Sequence, residues 1–153
     1  MSGLEQLYQQ IILDHSKHPH GVGLDGGETT SHQRNPVCGD EITLALRWDS
    51  AGDRVAAVAW EGAGCSISQA SASLLATLAE ESVAEGHAWT PEELTALIDE
   101  FREALRSRGL TPLNEDRFGD AAALSGVSKY VARVKCAMLA WVAAEDLLAR
   151  RRA

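Results

Sequence analysis

The stretch EITLALRWDSAGDRVAAVAW, residues 41–60, decides the fold. Over residues 41–48, apolar side chains alternate with polar or small ones, which is the period of a strand with one buried face. A turn of small and polar residues, 49–53, leads into a second alternating run, 54–60. Two such runs joined by a short turn predict an antiparallel β-hairpin.

Helical patterns flank this hairpin on both sides. Apolar side chains at helical spacing predict an N-terminal helix over residues 3–16, and a short strand is predicted over residues 29–34. After residue 64 the spacing becomes helical again and predicts helices over 67–83 and 131–150. These elements predict an α+β fold in which a small antiparallel sheet has helices packed on one face.

A further helix is predicted between these two. Thr90 is the expected N-cap, Pro91 fits the first helical position, and Glu93 completes a capping box. Leu94 and the apolar residues that follow it at helical spacing, as far as Leu105, predict its buried face. Residues 107–119 are predicted to be rich in loops. The whole chain, 1–153, is predicted to be a single domain.

The net charge of the chain limits the kinds of partner that it is expected to bind. The 153 residues include 14 basic and 22 acidic side chains, for a net charge of −8. Nucleic acid is therefore not an expected partner, because its phosphates require a basic surface. No apolar run approaches the length of a membrane span, and the first residues lack the pattern of a signal peptide. The sequence predicts a cytoplasmic protein with no membrane partner.

Three cysteines carry most of the functional information. They are Cys38 in NPVCGD, Cys65 in GAGCSIS and Cys136 in RVKCA. An odd number of cysteines in a reducing compartment argues against a disulfide framework. Together with Asp40, three thiolates can close a tetrahedral shell around zinc. Thiolates can also carry sulfur as a persulfide, and the remaining alternative is that the cysteines are merely buried.

Cys38 and Asp40 lie two residues apart at the predicted start of a strand. In regular strand geometry both side chains point to the same face, and Gly39 between them permits unusual backbone angles. One metal ion could therefore contact both residues. The alternative is a turn in which Asp40 accepts hydrogen bonds from backbone amides and Cys38 is incidental.

Of the other two cysteines, one lies just before a predicted helix and the other lies within one. Cys65 precedes a helix, where the partial positive charge of the N-terminus favours a thiolate, although it could be just a small residue in a tight junction. Cys136 lies within the last helix, where a cysteine is usually part of the core. Arg133 is on the same side and could offset a thiolate or simply be solvated. His15 and His18 are predicted to lie on a solvated helix face.

Three motifs in order resemble the IscU/SufU iron–sulfur assembly proteins. They are NPVCGD (35–40), GAGCSISQAS (62–71) and RVKCAMLAW (133–141), and the opening LYQQIILDH (7–15) resembles the first helix of that family. In the IscU branch a histidine immediately precedes the third cysteine, whereas this chain has Lys135. The long segment between Cys65 and Cys136, and GVSKY at 126–130, resemble the SufU branch.

The resemblance implies a zinc-dependent sulfur-transfer protein. It implies that zinc is held by Cys38, Asp40, Cys65 and Cys136, and that Cys38 leaves the metal to accept persulfide sulfur. Arg133 matches a family arginine near the site. The implied partners are a SufS-type cysteine desulfurase, which is a pyridoxal-phosphate enzyme, and the iron–sulfur assembly machinery that receives the sulfur.

Two other functions are compatible with the same residues. One is a scaffold that assembles an iron–sulfur cluster on these ligands, and Lys135 in place of histidine speaks against it. The other is a binding protein in which zinc is only structural. This second alternative predicts that zinc removal unfolds the chain and that Cys38 never carries a persulfide.

Overall fold

The computed structural model describes residues 3–152, so both ends of the predicted 1–153 domain lie outside the described residues. The elements follow in the order α1 Gly3–Lys17, β1 Ser31–Asn35, β2 Asp40–Trp48, β3 Val55–Ala63, α2 Ser66–Ala84, α3 Pro91–Arg106, α4 Glu115–Phe118, a 3₁₀ helix Gly119–Lys129, and α5 Val131–Arg152. The predicted α+β class is confirmed. Within 3–152, no helix is long and apolar enough to cross a membrane.

The sheet has three strands in the order β1–β2–β3, and both pairs are antiparallel. Leu44 at its centre pairs with Ser31 on one side and with Trp60 on the other. Ile42 and Leu44 are fully buried, as the alternation in residues 41–48 predicts. The predicted hairpin is therefore confirmed, and its register places the apolar side chains against the helices.

Helices α2 and α5 cover the sheet. Helix α2 packs on β3, α5 packs on β1 and β2, and the two helices contact each other as one layer. Helix α3 packs on the outer side of α5, where the rings of Phe101 and Trp141 stack at 3.9 Å between centroids. Such a buried aromatic pair contributes more than its area burial alone.

A polar link joins the two covering helices. The buried Ser71 hydroxyl of α2 donates to the Ala137 carbonyl at 2.6 Å, and the Trp141 indole donates to the same hydroxyl at 3.0 Å. Because Ala137 directly follows Cys136, this link fixes the cysteine-bearing turn of α5 against α2. It is a specific contact in a layer otherwise held by apolar packing.

The prediction for α3 is confirmed and the prediction for residues 107–119 is partly wrong. Thr90 accepts a hydrogen bond from the Glu93 amide, and the Glu93 carboxylate accepts one from Thr90, which is a complete capping box. The stretch after α3, however, contains helix α4, whose N-cap Asn114 accepts from the Asp116 amide at 2.8 Å. A four-residue helix shows no periodicity in the sequence, so its cap was the only available signal.

His15 corrects a second prediction, since it is buried and not solvated. Helix α1 packs on α2, and the His15 Nδ1 lies 2.7 Å from the Ser73 hydroxyl. That hydroxyl oxygen also accepts a hydrogen bond from the His20 amide at 2.8 Å, so its proton is free to point at His15. The small side chain of Ser73 leaves the space into which the imidazole fits.

We expect the stability of the fold to depend on the protonation of His15. Burial lowers the pKa of His15 below 6.5, and the nearby His20 lowers it further, against the opposing charges of Asp120 and Asp14. The unfolded chain thus binds the proton more readily, so stability is present above the unfolded pKa and is lost as pH falls through the folded pKa. Urea unfolding between about pH 8 and about pH 5 measures this loss. His15→Gln should flatten the dependence, and an unchanged slope would contradict the assignment.

Candidate metal centre

Three side chains from separate parts of the chain meet at one end of the sheet. The ligand atoms of Asp40, Cys65 and Cys136 all lie within 4.8 Å of one another. The register explains two of them, because Asp40 begins β2 beside the end of β3, and Cys65 follows β3 as the N-cap of α2. Cys136 reaches the same point from α5, which packs across β1 and β2.

Asp40 is the hub of this group. Its buried carboxylate accepts a hydrogen bond from the Cys65 amide at 2.9 Å and one from the Cys65 thiol at 3.3 Å. Burial raises the pKa of Asp40, but hydrogen bonds from Cys136 and Cys65 and the positive charge of Arg133 outweigh it. The pKa of the carboxyl group therefore lies below its usual value, and the group is an anion at neutral pH.

Cys136 is the most deeply buried member. Burial is the largest cause that raises the pKa of its thiol, followed by the hydrogen bond with Asp40 and the neighbouring Cys65. A hydrogen bond with the Cys38 thiol raises this pKa further. Without a cation, the Cys136 thiol therefore keeps its proton, because a second anion beside Asp40 would be buried and unpaired.

Cys38 occupies a different setting from the other predicted ligands. It is exposed in the turn over residues 36–39 that joins β1 to β2, and it is not part of the strand. Gly39 has a φ of 75°, which turns the chain before β2 begins. The interpretation that strand geometry orients Cys38 and Asp40 alike is therefore wrong. Cys38 nevertheless contributes to the raised pKa of the Cys136 thiol, so it stands at the rim of the group and not within it.

Arg133 lies on the first turns of α5 and is exposed, whereas Cys136 on the same helix is buried. Its charge acts on Asp40, although it is the weakest of the causes that shift the pKa of that carboxyl group. The structure therefore places it near the centre, without a direct ion pair to Asp40 among the described residues.

Gly64 belongs to the site, although the sequence indicated only that it frees the backbone before Cys65. Its φ is +144°, and a Cβ atom at this position would overlap the Asp40 carboxylate. Because residue 64 has no side chain, its backbone can lie close to the Asp40 carboxylate. This close approach positions the Cys65 amide for its hydrogen bond. The sequence shows a glycine beside Cys65, but only the fold shows that the Asp40 carboxylate occupies the space that a side chain at residue 64 would need.

Asn35 is a second residue whose part in the site was missed. Its buried side chain donates to the Cys136 sulfur at 3.8 Å and accepts from the Val37 amide at 3.2 Å. One amide group thus connects the buried thiol with the turn that bears Cys38. Asparagine before proline is common in turns, which explains why the sequence indicated only a break at this position.

We expect Asn35→Ala to loosen the turn and to lower the free energy of unfolding by about 1–3 kcal/mol, the usual cost of leaving a buried donor or acceptor unpaired. Amide hydrogen exchange at Val37 should accelerate, and urea unfolding measures the stability. Asn35→Asp is the matched control, because it keeps the acceptor for the Val37 amide and loses the donor to Cys136. Unchanged exchange at Val37 in Asn35→Ala would contradict this role.

The donor set fits a metal ion that accepts sulfur and oxygen ligands. Two cysteines and one aspartate provide soft and hard donors in one buried cluster, which is typical of zinc and also open to iron. Neighbouring ligands in a tetrahedral zinc site lie about 3.5–3.8 Å apart, and the ligand atoms of this cluster lie within 4.8 Å of one another. A fourth donor is needed to close the shell, and Cys38, two residues before Asp40, is the remaining member of the predicted ligand set.

The fold and this candidate centre can now be compared with known protein families. Residues 7–137 match the family described as NifU-like N terminal domain. The chain belongs to this family, and the resemblance to IscU and SufU proteins is thereby confirmed.

Two relatives span nearly the whole chain. The chain is 36% identical over 149 residues to the zinc-dependent sulfurtransferase SufU of Bacillus subtilis (strain 168), covering 97% of this chain and 94% of the relative. It is also 36% identical over 151 residues to the iron–sulfur cluster assembly scaffold protein IscU of Streptococcus pyogenes serotype M1, covering 98% and 87%. The relatives are thus named for both cluster assembly and sulfur transfer.

Solved structures agree with this assignment. A hypothetical protein, whose crystal structure is at 2.3 Å resolution, has a TM-score of 0.79 at 34% identity, over 94% of this chain and 98% of that chain. A candidate scaffold protein for the SUF system from Fervidobacterium islandicum AW-1 (FiSufU) has a TM-score of 0.67 at 31% identity, over 95% and 99%. Both support the α+β architecture described above.

Proposed function

We propose that this chain is a zinc-containing sulfur acceptor for iron–sulfur cluster assembly. In this role Cys38 takes persulfide sulfur from a cysteine desulfurase and passes it to the assembly machinery. The observation that carries the proposal is the contrast between the exposed Cys38 and the more deeply buried Asp40, Cys65 and Cys136 beside it. The zinc-dependent sulfurtransferase name of the Bacillus relative favours the same function.

In this proposal, three residues only hold the metal, and Cys38 also carries the sulfur. Asp40, Cys65 and Cys136 would hold zinc, and Cys38 would close the shell in the resting protein. When bound, zinc supplies positive charge that keeps these sulfurs deprotonated, and it has no redox chemistry of its own. Because Cys38 lies on an exposed turn, a protein donor can reach its thiolate without unfolding the core.

The transfer step is an exchange between a thiolate and a persulfide. The Cys38 thiolate attacks the outer sulfur of the donor's cysteine persulfide, and a new S–S bond forms to Cys38. The donor's own S–S bond breaks at the same time, and the donor cysteine leaves as a thiolate. Electrons balance without an external oxidant or reductant. Delivery repeats this exchange with Cys38 as the donor and a thiolate of the acceptor as the nucleophile.

Arg133 is proposed to assist at the edge of the centre. Its charge already favours the ionised Asp40, and the same guanidinium can stabilise a thiolate at the neighbouring rim. We therefore assign Arg133 an electrostatic role that is smaller than the role of Cys38.

A scaffold for cluster assembly is the second candidate, and the name of the Streptococcus relative favours it. In that function an iron–sulfur cluster would be the cargo, held by the same Asp40, Cys65 and Cys136. Lys135 argues against it, because it stands where the IscU branch has a histidine, it is exposed, and an ammonium group offers no lone pair to a metal.

Anaerobic incubation with ferrous iron and sulfide tests these alternatives. If the chain is a sulfur acceptor, the zinc-loaded protein should form no stable cluster and should acquire one sulfur on incubation with a cysteine desulfurase and cysteine. A stable cluster with visible absorbance, formed stoichiometrically and without persulfide on Cys38, would favour the scaffold. A structural zinc module would give neither product.

A further inference from the structure

An apolar groove with a cationic rim runs beside the candidate metal centre. It lies between the β1–β2 turn, the end of α3 and the outer side of α5, and it encloses about 680 Å³. We call it the basic groove; Leu105 and Met138 lie in its floor, and Arg34, Arg106, Arg108 and Lys135 stand at its rim. It is distinct from the candidate ligands Asp40, Cys65 and Cys136, none of which lines it.

The charge at this groove is opposite to that of the chain. Five of the 14 basic side chains line it, against a single acidic one, Glu145, although the whole chain carries −8. Glu145 is already bound by Arg102 through two hydrogen bonds of 2.6 and 3.0 Å. The four rim cations are exposed and make no ion pair within the described part of the chain. Such a cluster attracts an anionic surface of complementary shape.

One of these cations, Arg108, has an unfavourable backbone conformation. Arg108 has a φ of 56°, whereas the other described residues with positive φ are glycines. A left-handed conformation is unfavourable for a residue that carries a side chain. It lets the chain reverse after α3 while Arg108 stays at the rim, and Gly109 completes the turn with a φ of 85°.

The floor of the groove favours a polypeptide as its occupant. The lining includes aliphatic and methionine side chains and no aromatic ring. Single-stranded nucleic acids use aromatic rings as stacking platforms, and none is present here. Cations at the rim and aliphatic side chains in the floor match a protein segment that combines acidic and apolar residues.

The position of the groove connects it to sulfur transfer. Pro36 and Val37 line one end, and Cys38 is the next residue along the chain. Val37 is 83% exposed, so the turn presents an apolar contact beside the reactive thiol. We propose that the basic groove docks an acidic, partly apolar segment of the sulfur-donating protein and so holds that protein's persulfide next to Cys38. This inference rests on the proposed function.

Charge reversal on opposite walls tests the docking role. Arg34→Glu on β1 and Arg106→Glu on α3 should each weaken binding of a purified cysteine desulfurase to the zinc-loaded chain by about tenfold, since rim charges steer association. Lys17→Glu is the matched control: Lys17 is exposed, carries no ion pair within residues 3–152 and lies outside the groove. It should change binding by less than about twofold. Higher salt should weaken binding of the unchanged chain.

A second donor separates docking from chemistry. Glutathione persulfide is small and needs no docking surface, so both groove variants should accept sulfur from it on Cys38 at the rate of the unchanged chain. Transfer from the desulfurase should slow in parallel with the loss of binding.

Desulfurase binding that is unchanged in both groove variants would overturn the inference, and so would equal slowing with both donors. A single-stranded oligonucleotide that binds with the same sensitivity to Arg34 and Arg106 would replace the polypeptide with nucleic acid as the occupant. If the unchanged chain accepts sulfur from neither donor, the proposed function fails. The binding measurement then still decides whether the groove docks the desulfurase.

Discussion

Cys38→Ala is expected to reduce sulfur uptake from a cysteine desulfurase to background, at least about hundredfold below the unchanged chain, because it removes the nucleophile. Cys38 is the exposed cysteine of this chain, whereas Cys136 is buried and Cys65 is half-buried and bonded to Asp40. Neither of these two sulfurs can replace it at the surface. Labelled sulfur from cysteine, followed by denaturing electrophoresis without reductant, measures the uptake.

The controls for this variant separate the loss of the thiol from general effects of substitution. Ser50→Ala alters an exposed side chain in the β2–β3 turn, at the opposite end of β2 from Asp40 and outside the basic groove, and should leave sulfur uptake on Cys38 unchanged. Cys38→Ser retains the size of the side chain and should be as inactive as Cys38→Ala, since an alcohol does not form a persulfide. Without zinc, both Cys38 variants should unfold at nearly the same urea concentration as the zinc-free unchanged chain, because Cys38 is exposed. Sulfur uptake by Cys38→Ala at an undiminished rate would show that another residue is the acceptor.

Asp40→Ala is expected to lower zinc affinity by at least about hundredfold. Four ligands share a binding free energy of about 10–16 kcal/mol in structural zinc sites, so the loss of one ligand removes roughly 3 kcal/mol. The substitution also leaves the Cys65 amide without the acceptor that now lies 2.9 Å away. Competition with a chromogenic chelator measures the affinity, and thermal unfolding with and without zinc measures the coupled loss of stability.

Two further variants separate ligation from general effects of charge. Asp53→Ala removes an exposed carboxylate from the β2–β3 turn and should leave zinc affinity unchanged. Asp40→Asn keeps an acceptor for the Cys65 amide, so it should preserve more stability than Asp40→Ala and still bind zinc weakly. Equal zinc affinity in Asp40→Ala and the unchanged chain would remove Asp40 from the ligand set.

The hairpin and the main helices could be predicted because their signals are local. Alternation in residues 41–48 identified the buried face of β2, and the Thr90 to Glu93 capping box identified the start of α3. Helix α4 was missed because four residues cannot show a helical period. The burial of His15 was missed because it depends on Ser73, which lies 58 residues away.

The candidate site could likewise be predicted only in part from the sequence. The motifs identified Asp40, Cys65 and Cys136 through family resemblance, whereas their irregular spacing alone carried little weight for metal binding. The fold brings them together because β2 begins beside the end of β3 and α5 crosses the sheet at that end. The exposure of Cys38 could not be predicted, since it depends on whether residues 36–39 form strand or turn.

Mass spectrometry of the unchanged chain, before and after incubation with a cysteine desulfurase and cysteine, is the most direct test of the central claim. Under native conditions we expect one zinc ion per chain. Under denaturing conditions after incubation we expect the added mass of one sulfur atom, located on the peptide that contains Cys38. Zinc without any sulfur adduct, or an adduct confined to Cys65 or Cys136, would contradict the claim.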